Sequence, residues 1–270
     1  MIDLTLIHMS DLHFAGPSSP LTPAEAIEKA REAIARDYPN EKFILAITGD
    51  ITTKGQVDGY HEASRALKAA LRKGCQIDST LLCPGNHDIG QGASPFAAFN
   101  RFAFDVTNDP TQVFVEDSPI AVVRRHGYAF ILVNSASHGD HHYGRVPLKR
   151  LREALLSTQN SHEIVLLHHS PISSEYGGEA LVNAYEFLAT VSRAGVSGVL
   201  HGHIHSAQTL SIGPKGTFLS GVGSLGFQPE PNMNNQFAIH FLEEGRLVKS
   251  MRYTYAADRR EFCASEIENS

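Results

Sequence analysis

This 270-residue sequence predicts a layered α/β domain. Two observations carry that prediction. Short apolar runs, each closed by turn residues, alternate with segments of helical period over the first two-thirds of the chain. After residue 206 the pattern changes to short strands and turns alone.

The first run, Leu4–His8, is too short for a helix and rich in Leu and Ile, as a buried strand is. Thr22-Pro23-Ala24-Glu25 then makes a capping box with proline at the first helical position, and Ile27, Ala30 and Ile34 share one face behind it. Phe43–Thr48 is the second strand. Tyr60, Ala63, Leu67 and Leu71 form the stripe of a second helix, which Gly74 closes in the left-handed conformation. Ser79–Cys83 is the third strand. Within 89–127, Phe96, Phe99 and Phe102 step by three, which fits a small helix packing through an aromatic face; a hydrophobic lid over a site is the competing reading. Tyr128–Asn134 is the fourth strand, and Leu148, Leu151 and Leu155 form a helical stripe behind Pro147. Glu163–His168 is the fifth, followed by the stripe Leu181, Ala184, Leu188 and Val191, ending at Gly195. Ser197–His201 is the sixth. Four more strands follow at Gln208–Ile212, Thr217–Gly221, Gln236–Leu242 and Arg246–Tyr253, the last two joined by a Glu243-Glu244-Gly245 hairpin turn. No repeat or linker interrupts this order, so residues 1–270 read as one domain, with the polar stretch 256–270 as a frayed tail.

Composition narrows the function. A net charge of −6 gives no global field for nucleic acid or an anionic membrane. Three scattered cysteines, Cys75, Cys83 and Cys263, argue against a disulfide framework and a thiolate metal site. The first residues carry no basic segment and no cleavage signal, and no apolar run approaches the ~20 residues that span a bilayer. The expectation is a soluble, cytoplasmic chain without a membrane partner.

Fifteen histidines are unevenly placed, and several fall at strand ends. Asp11-Leu12-His13 follows the first strand, Gly49-Asp50 the second, and Gly85-Asn86-His87-Asp88 the third. His168-His169 ends the fifth and Gly202-His203-Ile204-His205 follows the sixth. Loops at the carboxyl ends of strands in an α/β sheet converge on one crevice. Imidazole, carboxylate and amide oxygen without thiolate suit borderline ions such as Mn, Fe, Zn or Co. Asp11, His13, Asp50, Asn86, His168, His203 and His205 are too many for one ion with an open position. If Asp50 bridges, two divalent ions receive four ligands each. Two carboxylates then leave about +2, or about +1 with a bridging hydroxide, which attracts a phosphate and prepares an in-line attack. His8, His61, His126, His162, His201 and His240 read as ordinary packed or surface residues, and His138, His141 and His142 as part of a solvated loop, with an approach to the substrate as the competing reading.

In this order the five motifs resemble the calcineurin-like metallophosphoesterase superfamily across residues 8–205. The resemblance implies a four-layer αββα sandwich, two mixed sheets flanked by helices. It also implies that Asp11, His13, Asp50 and His205 hold a first metal and that Asp50, Asn86, His168 and His203 hold a second. His168 is preferred to His169 because it leaves the strand first. By the same resemblance His87 protonates the leaving oxygen, with Asp88 as its orienting partner.

Protein phosphatases of this superfamily carry an acidic–arginine pair after Gly-Asp and an arginine before Gly-Asn-His. Here those places read Thr53-Lys54 and Pro84. The sequence is more similar to the small bacterial branch of cyclic-nucleotide and glycerophosphodiester phosphodiesterases. A diester, with one negative charge, needs less cationic help than a monoester, so a small phosphodiester or nucleotide is the expected substrate. A phosphomonoesterase or a nuclease on the same centre are the alternatives, and a nuclease would need a basic groove. A non-catalytic interaction module would have lost ligands that this chain keeps.

Overall fold

Strand order places every motif named above at one end of two sheets. The computed structural model describes residues 1–16, 20–71, 74–173, 180–227 and 234–267. The chain runs β1 (Leu4–Met9), α1 (Pro23–Asp37), β2 (Lys42–Thr48), α2 (Val57–Leu71), β3 (Gln76–Cys83), α3 (Ala97–Thr107), β4 (Ile120–Arg125), β5 (Tyr128–Val133) and α4 (Leu148–Thr158). It continues through β6 (His162–Leu166), α5 (Ala184–Ala194), β7 (Gly198–His201), β8 (Gln208–Ile212), β9 (Thr217–Gly221), β10 (Gln236–Glu243), β11 (Arg246–Ala256) and β12 (Glu261–Glu266).

The strands form two mixed six-stranded sheets, ordered β12-β11-β10-β1-β2-β3 and β4-β5-β6-β7-β9-β8. In the first, β1, β2 and β3 are parallel and β10 runs antiparallel to β1. In the second, β5, β6, β7 and β9 are parallel between antiparallel edges β4 and β8. Helices flank the sheets, giving the expected αββα sandwich. The parallel strands are apolar on both faces because both are covered. Phe130, Leu132, Ile164, Leu166 and Leu200 face the cluster that contains Leu6, Ile44 and Leu45 of the first sheet. Their neighbours Ile131, Val133, Val165 and Val199 pack instead with Leu151, Leu155, Phe187 and Val191 of α4 and α5. That alternation is the two-residue period of a strand, and truncating one such residue to alanine costs ~2–5 kcal/mol.

The capping box at Thr22 and Glu25 is formed, with the Glu25 N–H donating to Thr22 Oγ1 at 3.3 Å and Thr22 N–H to Glu25 Oε2 at 2.8 Å. Glu244 and Gly245 both have positive φ, as the tight β10–β11 hairpin requires. No helix among the described residues is long and apolar enough to cross a membrane.

One reading is corrected and another is incomplete. The stretch 256–270 is not simply frayed, because β12 pairs with β11 from Met251↔Glu266 to Ala256↔Glu261. Phe262 alone anchors it, fully buried against Phe237 and Tyr255. An edge strand with one solvated face needs no apolar run, so its polar sequence hid it. The segment 89–127 contains a strand, β4, whose Ala121 and Val123 are buried in alternation. The aromatic-face reading of α3 holds: Phe99 and Phe102 are core residues packed against Tyr60, at 6.4 and 5.3 Å between ring centroids, and do not form a lid.

Candidate metal centre

At the ends of β1, β2 and β7 the backbone turns out of the extended region within a residue or two. Asp11, His13, Asp50, His203 and His205 all adopt positive φ, between 50° and 76°. Such conformations are costly for residues with a Cβ and gather at functional sites. Gly85 explains how close the loops come: a Cβ there would collide with the Asp50 carboxylate and backbone nitrogen. Gly49, at φ 91°, could not carry one either, since His168 and the Gly85 nitrogen occupy that space.

These turns bring the ligand candidates together as two groups, each able to hold a metal ion: Asp11, His13 and His205, and Asp50, His168 and His203. In the first, His205 Nε2 lies 3.1 Å from Asp11 Oδ1, and His13 Nε2 lies 3.5 Å from His205 Nε2. In the second, His168 Nε2 lies 3.2 Å from Asp50 Oδ2 and 3.1 Å from His203 Nδ1. The same Asp50 Oδ2 is 3.9 Å from His13 Nε2, so one oxygen faces both groups. Its other oxygen accepts the His87 N–H at 2.9 Å. Imidazole nitrogens converge in this way around a cation. His168 Nδ1 donates to the Thr48 carbonyl at 2.8 Å, which leaves the Nε2 lone pair for the centre.

Asn86 completes the arrangement. Its Nδ2 donates to the His141 carbonyl at 3.0 Å, whereas its Oδ1 is buried without a hydrogen-bond partner. A buried amide oxygen without a partner is expensive, and a cation would satisfy it. The donor set therefore fits hard-to-borderline divalent ions.

Charge supports the same fit. Burial opposes ionising Asp11 and Asp50, but His205 and His168 respectively outweigh it and hold both carboxyls well below their usual range. Burial alone would neutralise His168, yet Asp50 lifts it to about 9. Asp11 acts in the same direction on His205, again against burial. A positive charge is thus favoured beside each carboxylate. Burial pushes His13 down to about 4 and, with His168 beside it, His203 to about 3. Neutral imidazoles and ionised carboxylates are the forms that bind metal.

His87 stands next to the first group, its ring 5.2 Å from that of His13. Asp88 does not orient it. The Asp88 carboxylate is buried and accepts from Ile51 N, Thr52 N, Gly85 N and Tyr60 Oη, at 3.2, 3.2, 3.0 and 2.9 Å. It staples the loop after β2 to the loop after β3, and a carboxylate so occupied has nothing left for the imidazole. The Thr53 carbonyl takes that role, accepting from His87 Nδ1 at 2.7 Å. His169 falls in neither group; its Nδ1 lies 2.8 Å from Ser135 Oγ, and its Nε2 is buried without a hydrogen-bond partner. His141, from the loop weighed as an approach to the substrate, lies beside Asn86. Two neighbours escaped sequence reasoning: Tyr60 beneath Asp88, and Phe227, which packs on His13 and His205 at 5.2 and 5.8 Å. Neither lies in a motif, and Phe227 follows a turn with no local signal.

The profile of the calcineurin-like phosphoesterases matches residues 4–207, which contain every residue of both groups. The chain belongs to this family. Calcineurin-like phosphoesterases hold a dinuclear metal centre, and the two His/Asp groups are where this one could hold its ions. Solved structures with the same fold include a purple acid phosphatase from yellow lupin, 12% identical, with a TM-score of 0.62 over 99% of this chain and 54% of that one. The chain therefore spans about half the length of that phosphatase. GAP50, the anchor in the inner membrane complex of Plasmodium, is 12% identical with a TM-score of 0.52, over 100% of this chain and 90% of that one. Vps29 from Entamoeba histolytica, complexed with zinc, is 12% identical with a TM-score of 0.46, over 98% of each chain. At these identities the likeness concerns the fold of the family alone. No curated protein sequence matches the chain.

Proposed function

We propose that this chain is a metal-dependent phosphodiesterase acting on a small phosphodiester. The observation that carries the reading is Asp50 Oδ2, which faces His168 on one side and His13 on the other. Asp11, His13, Asp50 and His205 would hold one ion, and Asp50, Asn86, His168 and His203 the second. When bound, two divalent ions neutralise phosphate charge and acidify water so that it attacks near neutral pH. The chain itself supplies the rest. Burial of Asp11, Asp50, His168 and His203 excludes competing water from the ligand set. His87, held by the Thr53 carbonyl through Nδ1, would in its doubly protonated form pass the Nε2 proton to the departing alkoxide and become neutral.

The preference for a diester is supported by what stands in place of a guanidinium clamp. Thr53 offers its carbonyl to His87, Lys54 brings an exposed ammonium rather than a guanidinium fork, and Pro84 is buried behind Gly85. A monoester dianion would want more positive charge than these positions give. The test is a parallel assay of protein loaded with Mn or Fe on a chromogenic diester, a chromogenic monoester, cyclic nucleotides and single-stranded DNA. Faster turnover of diester than of monoester supports the reading. A monoester preference, or hydrolysis of DNA alone, replaces it with a phosphomonoesterase or a nuclease.

A further inference from the structure

His141 lies in the loop between β5 and α4 and is bonded to Asn86 in both directions. Asn86 Nδ2 donates to the His141 carbonyl at 3.0 Å, and His141 Nδ1 lies 3.1 Å from the Asn86 carbonyl. A carbonyl only accepts, so Nδ1 carries the proton. In the neutral ring Nε2 is then a lone-pair acceptor, on a side chain exposed to solvent. His87 is presented in the same way, with Nδ1 on a backbone carbonyl, but beside the first group rather than the second.

The loop that carries His141 is preorganised. Ala136 N donates to Asn134 Oδ1 at 3.0 Å, and Gly139 N to the Ala136 carbonyl at 2.9 Å. Asp140 Oδ1 accepts the His142 N–H at 2.7 Å, and the His138 and Tyr143 rings stack at 5.6 Å. At its base, Gly144 lies so close to His169 that a Cβ would collide with the ring. A side chain on a loop fixed this firmly can orient a substrate without a large ordering cost.

Resting on the reading of the centre as a phosphodiesterase, we propose that His141 selects substrates whose alcohol arm carries a free hydroxyl near the phosphoester. An acceptor nitrogen repels phosphate oxygens and pairs with an O–H donor, so the ring reads the alcohol and not the phosphate. Glycerol and ribose are two sources of that hydroxyl. A site built around a hydroxyl discriminates against the analogue that lacks it.

The test compares two substrate pairs on metal-loaded wild type and His141→Ala: a glycerol phosphodiester with its propyl counterpart, and a ribonucleotide diester with its 2′-deoxy counterpart. Wild type favours the hydroxyl-bearing member of at least one pair by roughly ten-fold in kcat/KM, the worth of one hydrogen bond. His141→Ala brings that ratio towards one, and the pair affected identifies the alcohol. Metal content by elemental analysis stays at the wild-type value, because Asn86 bonds the backbone carbonyl that alanine retains. No preference in wild type, or a ratio unchanged in the variant, overturns the proposal. Metal loss in the variant overturns it as well, showing that the ring serves the metal site. Wild type that hydrolyses no diester fails the phosphodiesterase reading, and the proposal falls with it.

Discussion

His87 Nδ1 lies 2.7 Å from the carbonyl oxygen of Thr53. This bond keeps a proton on Nδ1 and aims Nε2 away from the loop; in the doubly protonated ring Nε2 also carries the proton that a leaving group needs. His87 belongs to neither metal-binding group, although its backbone N–H holds Asp50. His87→Ala is therefore expected to keep full metal content by elemental analysis while kcat on a diester falls ~10²–10⁴-fold. Metal loss in that variant would make the ring structural.

Asp88 and Tyr60 give a stability prediction. Tyr60→Phe removes one buried donor to the carboxylate and should cost ~1–3 kcal/mol in denaturant unfolding. Asp88→Ala leaves the N–H groups of Ile51, Thr52 and Gly85 without their acceptor and should cost ~3 kcal/mol or more. An Asp88→Ala protein as stable as wild type would remove the stapling role.

Gly85 predicts a steric effect on the centre. A Cβ at this position meets both the Asp50 carboxylate and the Asp50 backbone nitrogen, and the backbone atom cannot yield cheaply. Gly85→Ala should weaken metal binding at least ten-fold in a competition titration, a cost of ~1.4 kcal/mol or more. Unchanged affinity would mean that the two loops part easily.

The buried histidines behind the centre set a pH dependence. His240 bonds Ser220 and Ser250 through its two nitrogens, at 3.2 and 2.8 Å. Burial pushes it from 6.5 down to about 4. Between those values the unfolded chain holds a proton that the folded chain lacks, so stability is full above pH 6.5 and falls as pH drops towards 4. The loss from this residue is on the order of 3 kcal/mol. Denaturant unfolding at pH 7 and pH 5 should show the fall, and His240→Gln should flatten it.

The layered α/β order and the ligand candidates were legible in the sequence for a physical reason, whereas the four-layer αββα arrangement was what the family resemblance implied. Buried parallel strands need continuous apolar runs, and metal-binding side chains must sit where such strands end. Asp11, Asp50 and His203 are legible because their residue types are rare at strand ends except as ligands or turns. What stayed hidden depends on contacts between distant segments. Nothing local tells that Asp88 will be saturated by four donors, or that the Asn86 amide will meet the His141 carbonyl across 55 residues. The edge strand β12 was illegible because its pairing relies on backbone hydrogen bonds and a single buried phenyl ring.

Asp50 Oδ2 faces both His/Asp groups, so one carboxylate would serve both ions, and metal stoichiometry tests this most directly. Wild type and Asp50→Ala are loaded with Mn, desalted and analysed for metal per chain. The wild type should retain two ions, and the single substitution should deplete both sites together, because Asp50 Oδ2 faces His13 and His168 alike. A wild type that retains no metal, or a variant that keeps both ions, would show that Asp50 does not join two metal sites.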